Sequence, residues 1–321
     1  MNIKKTILLS VVTATIAMPF ATAQADSYPS KDLNYVIAFG PGGGNDTMSR
    51  TLVDVLKKNN LVNGQNFRVE NRAGGSGAIG FNYVAQKKGN PYYLTSTSGN
   101  FIGTPIVSNT GWTYKDFTPI GLLAQDAMFL SVRADSPYKT LKEFIQASKT
   151  ERLKVGGTGA AGPERVVAAM LEKSADTKFV YVPSQDDGGL TTSLTSGSVD
   201  AIVSNPAEVA GQVAAGNFRP LAYSEGIRST VFPDVPTFIE QGYDVAFSLP
   251  RGVVLPGGVS KDVQAWWVAT LKKAVKTPEW KTYLKKKGLS GNTVWGDQFG
   301  TYLEQTDLSF RATLKDVGVL K

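Results

Sequence analysis

Two stretches of this chain repeat one order of elements, and this repeat constrains the fold most. The order is a short apolar strand, a glycine-rich turn and an amphipathic helix. The first stretch runs from residues 34–39 through residues 40–44 to apolar side chains at helical spacing between Met48 and Leu56. The second runs from residues 153–155 through a turn at 156–159 to a helix that Pro163 opens. This alternation predicts two α/β lobes, each with a largely parallel sheet covered by helices.

Other segments continue the alternation. Strands are predicted at residues 67–70, 92–95, 128–132, 178–182, 199–203 and 220–223. Helices are predicted at residues 141–148, after Ser260, from Pro278 to Gly288 and from Asp297 to Lys315. No low-complexity linker separates the two series, which favours a body in which the chain crosses between the lobes more than once.

The composition removes several chemistries, because none of the 321 residues is Cys or His. A Ser-His-Asp triad, a thiolate nucleophile, a disulfide and an ordinary zinc site all need one of these residues. An enzyme built on this chain has to use carboxylates, Lys, Tyr or hydroxyl groups. We therefore expect no metal site, and the residues imply no cofactor.

Residues 1–25 have the pattern of a secretory signal peptide. Lys4 and Lys5 form a basic start, residues 7–18 are mostly apolar, and Ala23-Gln24-Ala25 supplies a cleavage site. The alternative, a membrane anchor, needs about 20 apolar residues, more than this run supplies. No Cys follows the cleavage site, so we expect an exported protein without a lipid anchor. Removing Lys4 and Lys5 lowers the formal net charge of +7 by two. The remaining positive charge produces only a modest electrostatic field, so we expect no nucleic-acid partner.

The first glycine-rich turn is suited to anions. Gly42, Gly43 and Gly44 follow one another between a strand and a helix, so backbone N–H groups can approach a ligand without interference from side chains. These groups and the positive end of the helix dipole stabilise a phosphate or a carboxylate. The alternative is a tight turn in which Asn45 or Asp46 simply caps the helix.

Nucleotide binding and hydrolysis are competing interpretations. No phosphate-binding G-x-x-x-x-G-K-[ST] occurs, but G-x-G-x-x-G occurs at residues 75–80 and 157–162. After the second, Asp186 and Asp187 lie near the distance expected for a ribose-binding acid. A nucleotide-binding redox protein therefore stays open. The same two acids could instead serve a carboxylate-dependent exported hydrolase, or simply form the turn before Gly188.

Several motifs resemble one family in order along the chain. They are residues 28–31, 39–46, 70–80, 197–200, 215–222, 232–242 and 251–256, among which Pro233-Asp234-Val235-Pro236-Thr237 and the first glycine-rich turn are specific. This pattern is similar to the periplasmic solute receptors of tripartite tricarboxylate transporters, the Bug-type receptors. The likeness covers essentially the whole chain after residue 25.

The resemblance implies a type II periplasmic binding protein fold, in which two α/β lobes are joined by two crossing strands and close on a ligand. We expect lobe 1 to comprise residues 26–128 and 250–321, and lobe 2 to comprise residues 129–249. In that family a ligand carboxylate lies between the first glycine-rich turn and its counterpart in the second lobe. The residues that match those two turns are Gly42, Gly43, Gly44 and Asn45, and Thr158, Gly159 and Ala160.

Loops expected to face the same cleft supply four more candidates: Thr97, Ser98, Asn205 and Arg251. Arg251 is the sharpest, because a guanidinium can meet a carboxylate through two parallel contacts. The alternatives are a surface arginine at residue 251 and a turn residue before Pro206 at residue 205. We expect Arg251→Ala to weaken binding and to leave folding intact.

The resemblance implies a periplasmic receptor that captures a small di- or tricarboxylate, performs no chemistry and delivers the ligand to a membrane permease. We expect a monomer. Two segments depart from the family pattern, residues 182–188 with Asp186 and Asp187, and Leu249-Pro250, where the family often has Trp. The two acids near the cleft could favour a cationic group on the ligand or could face solvent.

Overall fold

The computed structural model describes residues 28–229, 231–316 and 318–320. The signal peptide predicted at residues 1–25 lies outside the described residues. The strands are β1 (Leu33–Ile37), β2 (Phe67–Asn71), β3 (Tyr93–Ser96), β4 (Phe117–Asp126), β5 (Phe129–Arg133), β6 (Lys154–Thr158), β7 (Val180–Ser184), β8 (Ala201–Ser204), β9 (Phe218–Tyr223), β10 (Leu249–Pro256) and β11 (Val294–Trp295). The helices are α1 (Gly44–Lys58), α2 (Ala78–Ala85), α3 (Gly99–Val107), α4 (Leu141–Ser148), α5 (Pro163–Ala175), α6 (Asp187–Thr195), α7 (Pro206–Ala214), α8 (Lys261–Ala274), α9 (Pro278–Lys287) and α10 (Asp297–Asp316).

The first sheet has the strand order β11-β4-β10-β3-β1-β2. Strand β1 pairs in parallel with β2 and β3, whereas β10 is antiparallel to both β3 and β4. Helices α1, α8 and α9 cover one face, where Leu52, Trp267 and Trp280 are fully buried. Helices α2, α3 and α10 cover the other face, around Phe101 and Phe310. These two apolar layers hold the sheet between them.

The second sheet has the strand order β7-β6-β8-β5-β9. Strand β6 is parallel to β7 and β8, and β5 is antiparallel to β8 and β9. Helices α4 and α5 pack on one face through Phe144 and Leu171, and α6 and α7 pack on the other through Leu194 and Val209. The chain therefore forms two α/β lobes, as the strand and helix alternation predicts.

The chain crosses between the lobes twice. The first crossing follows β4, which ends at Asp126, and the return leads into β10, which begins at Leu249. The two crossing strands are themselves paired antiparallel, from Leu249 opposite Asp126 to Pro256 opposite Phe117. The lobes also touch where α3 meets the start of α5, since a Cβ on Gly99 would lie 2.5 Å from Cγ of Pro163.

Most predicted elements are confirmed, including α4, and α9 with Gly288 as its C-cap. The prediction of largely parallel sheets is wrong for five of the nine strand pairs among the described residues, which are antiparallel. The physical reason is the double crossing, because a strand that leaves a lobe and one that returns to it run in opposite directions. No helix within the described ranges has both the length and the apolar character that crossing a bilayer needs.

Candidate functional site

A cavity of about 860 Å³ lies between the two lobes. It is bounded by loops at the carboxyl ends of the parallel strands, the usual position of ligand sites in open α/β sheets. Both lobes and the return strand contribute. The lining residues are 39–45, 47, 73–77, 98–100, 126, 158, 159, 163, 164, 185–188, 191, 205, 207, 208, 249, 251, 283, 287 and 289.

The first glycine-rich turn connects β1 to α1 and borders this cavity. Gly42 has a φ of +89°, and its N–H donates to Oδ2 of Asp46 over 3.0 Å. Asn45 donates from Nδ2 to the carbonyl oxygen of Thr97 over 3.1 Å, which fastens the turn to the end of β3. The N-cap of α1 is Gly43, which has no side chain to cap the helix, so neither Asn45 nor Asp46 is the cap residue.

Uncapped helix N-termini surround the cavity. Five helices, α1, α2, α3, α5 and α7, have no side-chain cap. Their N-cap residues line the cavity or directly precede a lining residue: Gly43, Gly77, Ser98, Gly162 and Asn205. Helix α6, which also begins at the cavity, is capped by Asp186, and helices α4, α8 and α9, whose N-termini lie elsewhere, are capped by hydroxyl groups. Because the first N–H groups of a helix have no partner within it, this arrangement offers several donors to an anion.

Arg251 supplies the cavity with a buried cation. Its Nη2 lies 2.6 Å from Oδ2 of Asp126 and 3.5 Å from Oδ1 of Asn205. Burial lowers the pKa of Arg251, but the contact with Asp126 outweighs this and the net shift is upward. A Cβ on Gly44 would lie 2.6 Å from Nη2 of Arg251, so the missing side chain at residue 44 makes room for the guanidinium.

Three further carboxylates face the cavity from the second lobe, and each lies in the first turn of a helix. They are Glu164 of α5, Asp187 of α6 and Glu208 of α7. Burial raises the pKa of Glu164 to about 8. Burial also raises the pKa of Asp187 and of Glu208, and the Glu208 shift is increased by the charge of Asp187. The second-lobe side of the cavity is therefore rich in acids.

Nine of the eleven predicted site residues line the cavity: Gly42, Gly43, Gly44, Asn45, Ser98, Thr158, Gly159, Asn205 and Arg251. Thr97 and Ala160 do not. Thr97 is buried beneath the site, where its Oγ1 accepts the N–H of Gly252 over 2.9 Å and so joins β3 to β10. Ala160 is exposed at the turn after β6.

Asp186 and Asp187 have different roles. Asp186 is the N-cap of α6, and its Oδ1 accepts the N–H of Gly189 over 2.7 Å. Asp187 faces the cavity, with Oδ2 3.8 Å from the position that a Cβ on Gly43 would take. Asp187 thus reaches across the cleft toward the first glycine-rich turn, and Asp186 mainly holds its own helix.

Sequence reasoning missed Asp126, Glu164 and Glu208. A signal for the two glutamates was present, because Pro163 and Pro206 each mark the first position of a helix and the glutamates follow within the same turn. Asp126 had no such signal, since its partner is 125 residues away. Within the described ranges, no group of three or more Asp, Glu, His or Cys side chains is arranged to hold a metal ion.

The family profile for the tripartite tricarboxylate transporter family receptor matches residues 49–314. Among curated proteins, the chain is 28% identical over 308 residues to the UPF0065 protein in the gbd 5' region of Cupriavidus necator. That match covers 95% of this chain and 93% of the relative.

Solved structures with the same fold include proteins with and without a bound ligand. A TctC solute binding protein from Polaromonas, solved with no ligand, is 27% identical, with a TM-score of 0.73 over 90% of this chain and all of that one. MatC from Rhodopseudomonas palustris with bound malate is 21% identical, with a TM-score of 0.78 over 89% of this chain and 100% of that one. An R. palustris protein with adipate is 20% identical, with a TM-score of 0.83 over 91% of this chain and 98% of that one. The type II periplasmic binding protein fold is therefore confirmed.

Proposed function

The chain belongs to the tripartite tricarboxylate transporter receptor family, and from this premise we propose that it is a periplasmic receptor for a small organic carboxylate. The receptor releases the ligand unchanged to a membrane permease. The observation that carries the proposal is the set of uncapped helix N-termini around the cavity, since these groups favour a negative charge. Malate and adipate bound to two proteins of the same fold support a carboxylate ligand.

The proposed contacts come from both lobes. Gly42, Gly43, Gly44, Asn45 and Ser98 act from the first lobe, Thr158, Gly159 and Asn205 from the second, and Arg251 from the return strand. Thr97 is proposed as a positioning residue because it holds Asn45 and Gly252 in place. For the lobe limits we propose residues 26–128 with 250–321, and 129–249.

Hinge closure couples binding to delivery. A carboxylate held from both lobes makes all of its contacts only when the lobes are together. The ligand therefore binds the closed form more tightly than the open form and shifts the equilibrium toward the closed form. The permease then recognises the closed form. A monomer is sufficient for this mechanism, and neither a nucleic acid nor a cofactor takes part in it.

The export route follows from the predicted signal peptide at residues 1–25, without a lipid anchor. Cell fractionation of the tagged full-length chain tests this directly. We expect the protein in the periplasmic fraction, shortened by the signal peptide, and N-terminal sequencing is expected to begin at Asp26. Retention in the membrane fraction would contradict the predicted cleavage.

Calorimetry combined with product analysis separates a receptor from the hydrolase that could use Asp187. Purified protein is titrated with a panel of di- and tricarboxylates and of amino-substituted carboxylates, and each compound is then recovered and identified. We expect saturable binding of at least one carboxylate and its complete recovery. Turnover of any compound would favour the enzyme, and stabilisation by NAD or FAD alone would favour the nucleotide-binding alternative.

A further inference from the structure

The cavity is lined by buried oxygen atoms that lack a hydrogen-bond donor. Within the described ranges, four lining side chains have such an atom: Asn45 Oδ1, Ser98 Oγ, Asp126 Oδ1 and Glu164 Oε2. Each of these residues is at most 6% exposed. A buried polar atom without a partner is unfavourable by about 1–3 kcal/mol, so unpartnered atoms of this kind point to a group that a ligand supplies.

Some of the donors beside these oxygens already have a partner within the protein. Asn45 Nδ2 donates to the carbonyl oxygen of Thr97, and this bond fixes the orientation of the amide and leaves its Oδ1 without a donor. Asn205 Nδ2 donates to the carbonyl oxygen of Ala127 over 3.3 Å, and Arg251 donates to Asp126. Asn45 Oδ1, Asp126 Oδ1 and Glu164 Oε2 therefore remain as acceptors that a ligand N–H or O–H group can satisfy.

The charges point the same way. Among the described residues that line the cavity, Arg251 and Asp126 form the one salt bridge. No Lys or Arg nitrogen of the described residues lies within salt-bridge distance of Glu164, Asp187 or Glu208. Lys287, at the end of α9, also lines the cavity but pairs with none of them.

A plain di- or tricarboxylate would add negative charge to this acidic side. Such a ligand offers no counter-charge to these acids, and Glu164, whose pKa burial raises to about 8, then stays mostly protonated at neutral pH. An ammonium or guanidinium group would instead donate to these oxygens and neutralise their charge.

We propose that the ligand of this receptor carries an ammonium or guanidinium group in addition to its carboxylate. The cation is held by Glu164, Asp187 and Glu208 in the second lobe, and the carboxylate lies at the helix N-termini near Gly43 and at Arg251. The closeness of Asp187 to the turn at Gly43 lets one small molecule reach both ends. This inference rests on the proposed function, because it names the class of carboxylate that the same cavity takes.

Isothermal titration of the wild-type protein with ligands of equal chain length tests the proposal. Glutarate is compared with δ-aminovalerate and ornithine, adipate is compared with lysine, and cadaverine serves as a probe with cations and no carboxylate. We expect an amino-substituted compound to bind at least about tenfold more tightly than its dicarboxylate counterpart, since a charge-assisted hydrogen bond gives about that factor.

Neutral isosteres then locate the cation site. Glu164→Gln and Glu208→Gln are each expected to weaken binding of the best amino-substituted ligand about tenfold or more, and to leave or improve the binding of its dicarboxylate counterpart. Glu304→Gln, on the exposed side of α10 and outside the cavity, is the matched control and should change neither affinity. If circular dichroism shows that Glu164→Gln does not fold, Asp187→Asn is titrated in its place.

The outcomes distinguish this inference from the proposed function. The cation site is overturned if the dicarboxylates bind as tightly as the amino-substituted compounds or more tightly. It is also overturned if the dicarboxylates bind with proton uptake, which titrations in buffers of different ionisation enthalpy measure. Either result leaves the carboxylate receptor standing. Cadaverine binding as tightly as ornithine supports the cation site and argues against a carboxylate receptor. Absence of binding by every compound in both series counts against both.

Discussion

Arg251 and Asp126 form a buried ion pair between the two strands that cross from lobe to lobe, with Nη2 2.6 Å from Oδ2. The two residues lie near the end of the β4–β10 pairing, where Asp126 is opposite Leu249. Because the guanidinium is fixed by a partner on the neighbouring strand, it faces the cavity in one orientation. The pair thus connects the hinge to the candidate ligand site.

We expect substitution of Arg251 to lower stability as well as ligand affinity, because its guanidinium is the ion-pair partner of a buried carboxylate. Arg251→Ala leaves Asp126 buried without its cation, and such a loss is expected to lower the free energy of unfolding by about 3–5 kcal/mol. Urea unfolding measures this. The double variant with Asp126→Asn should be more stable than Arg251→Ala alone. Equal stability of the single variant and the wild type would show that the pair contributes nothing.

Gly44→Ala places a methyl group against the guanidinium of Arg251, whose Nη2 lies 2.6 Å from that position. The backbone at residue 44 is helical, so the chain can fold, but the arginine must move. We expect carboxylate affinity to fall about tenfold, with a loss of stability of about 1 kcal/mol. Calorimetry and urea unfolding check both. Gly226→Ala, where the added group meets open space, is the control and should leave affinity unchanged.

Gly103→Ala tests the contact between the lobes at α3. An added Cβ would collide with the carbonyl oxygen of Ala161, a backbone atom of the other lobe, so the lobes must separate slightly. We expect weaker ligand binding by about tenfold and a larger radius of gyration by small-angle X-ray scattering. Gly211→Ala, in α7 with open space around it, should change neither quantity. An unchanged radius with unchanged affinity would mean that this contact does not limit closure.

The stability of the ligand-free protein should depend on pH through Glu164. Burial raises the pKa of this carboxyl from its ordinary value of 4.5 to about 8, so the folded protein holds a proton that the unfolded chain has released. The free energy of unfolding therefore falls as the pH rises from about 5 to about 8. Asp187 and Glu208, whose pKa values are also raised, act in the same direction.

Glu164→Gln removes one source of this dependence. Melting temperatures measured between about pH 5 and pH 8 should decline less steeply in the variant than in the wild type, and Glu304→Gln should follow the wild type. Identical slopes for Glu164→Gln and the wild type would contradict the assignment. Buffers of low ionisation enthalpy keep the comparison between temperatures valid.

Asp186 is expected to act on stability and not on a reaction. Its Oδ1 caps α6 through the N–H of Gly189, so Asp186→Ala should lower the free energy of unfolding by about 1 kcal/mol. Asp186→Asn retains an oxygen at the same position and should recover most of this loss. Urea unfolding distinguishes the two, and an Asp186→Ala variant as stable as the wild type would remove the capping role.

The local parts of the fold could be predicted from sequence because they depend on neighbours along the chain. Apolar spacing gave α1, and the capping residue Ser260 and the pair Thr277-Pro278 gave the starts of α8 and α9. The long strand β4 was not predicted, because Pro119 and Gly121, two residue types that are depleted in strands, interrupt its apolar residues.

The candidate site was predicted in part for the same reason. The glycine-rich turns and Arg251 lie in motifs that can be identified in the sequence, and each turn follows the carboxyl end of a parallel strand in its own sheet. Thr97 was assigned to the cleft because it ends a strand, but whether its side chain faces the ligand or the return strand depends on the pairing of β3 with β10.

The sequence by itself determined the two series of strands, turns and helices, the absence of cysteine and histidine chemistry, and the glycines that leave backbone N–H groups free for an anion. Only the tertiary structure decided that Asp126 neutralises Arg251 and that Glu164, Asp187 and Glu208 converge on one side of the cavity. The reason is physical: the charge of a site is the sum over side chains that folding brings together from distant segments, and no local pattern records that sum.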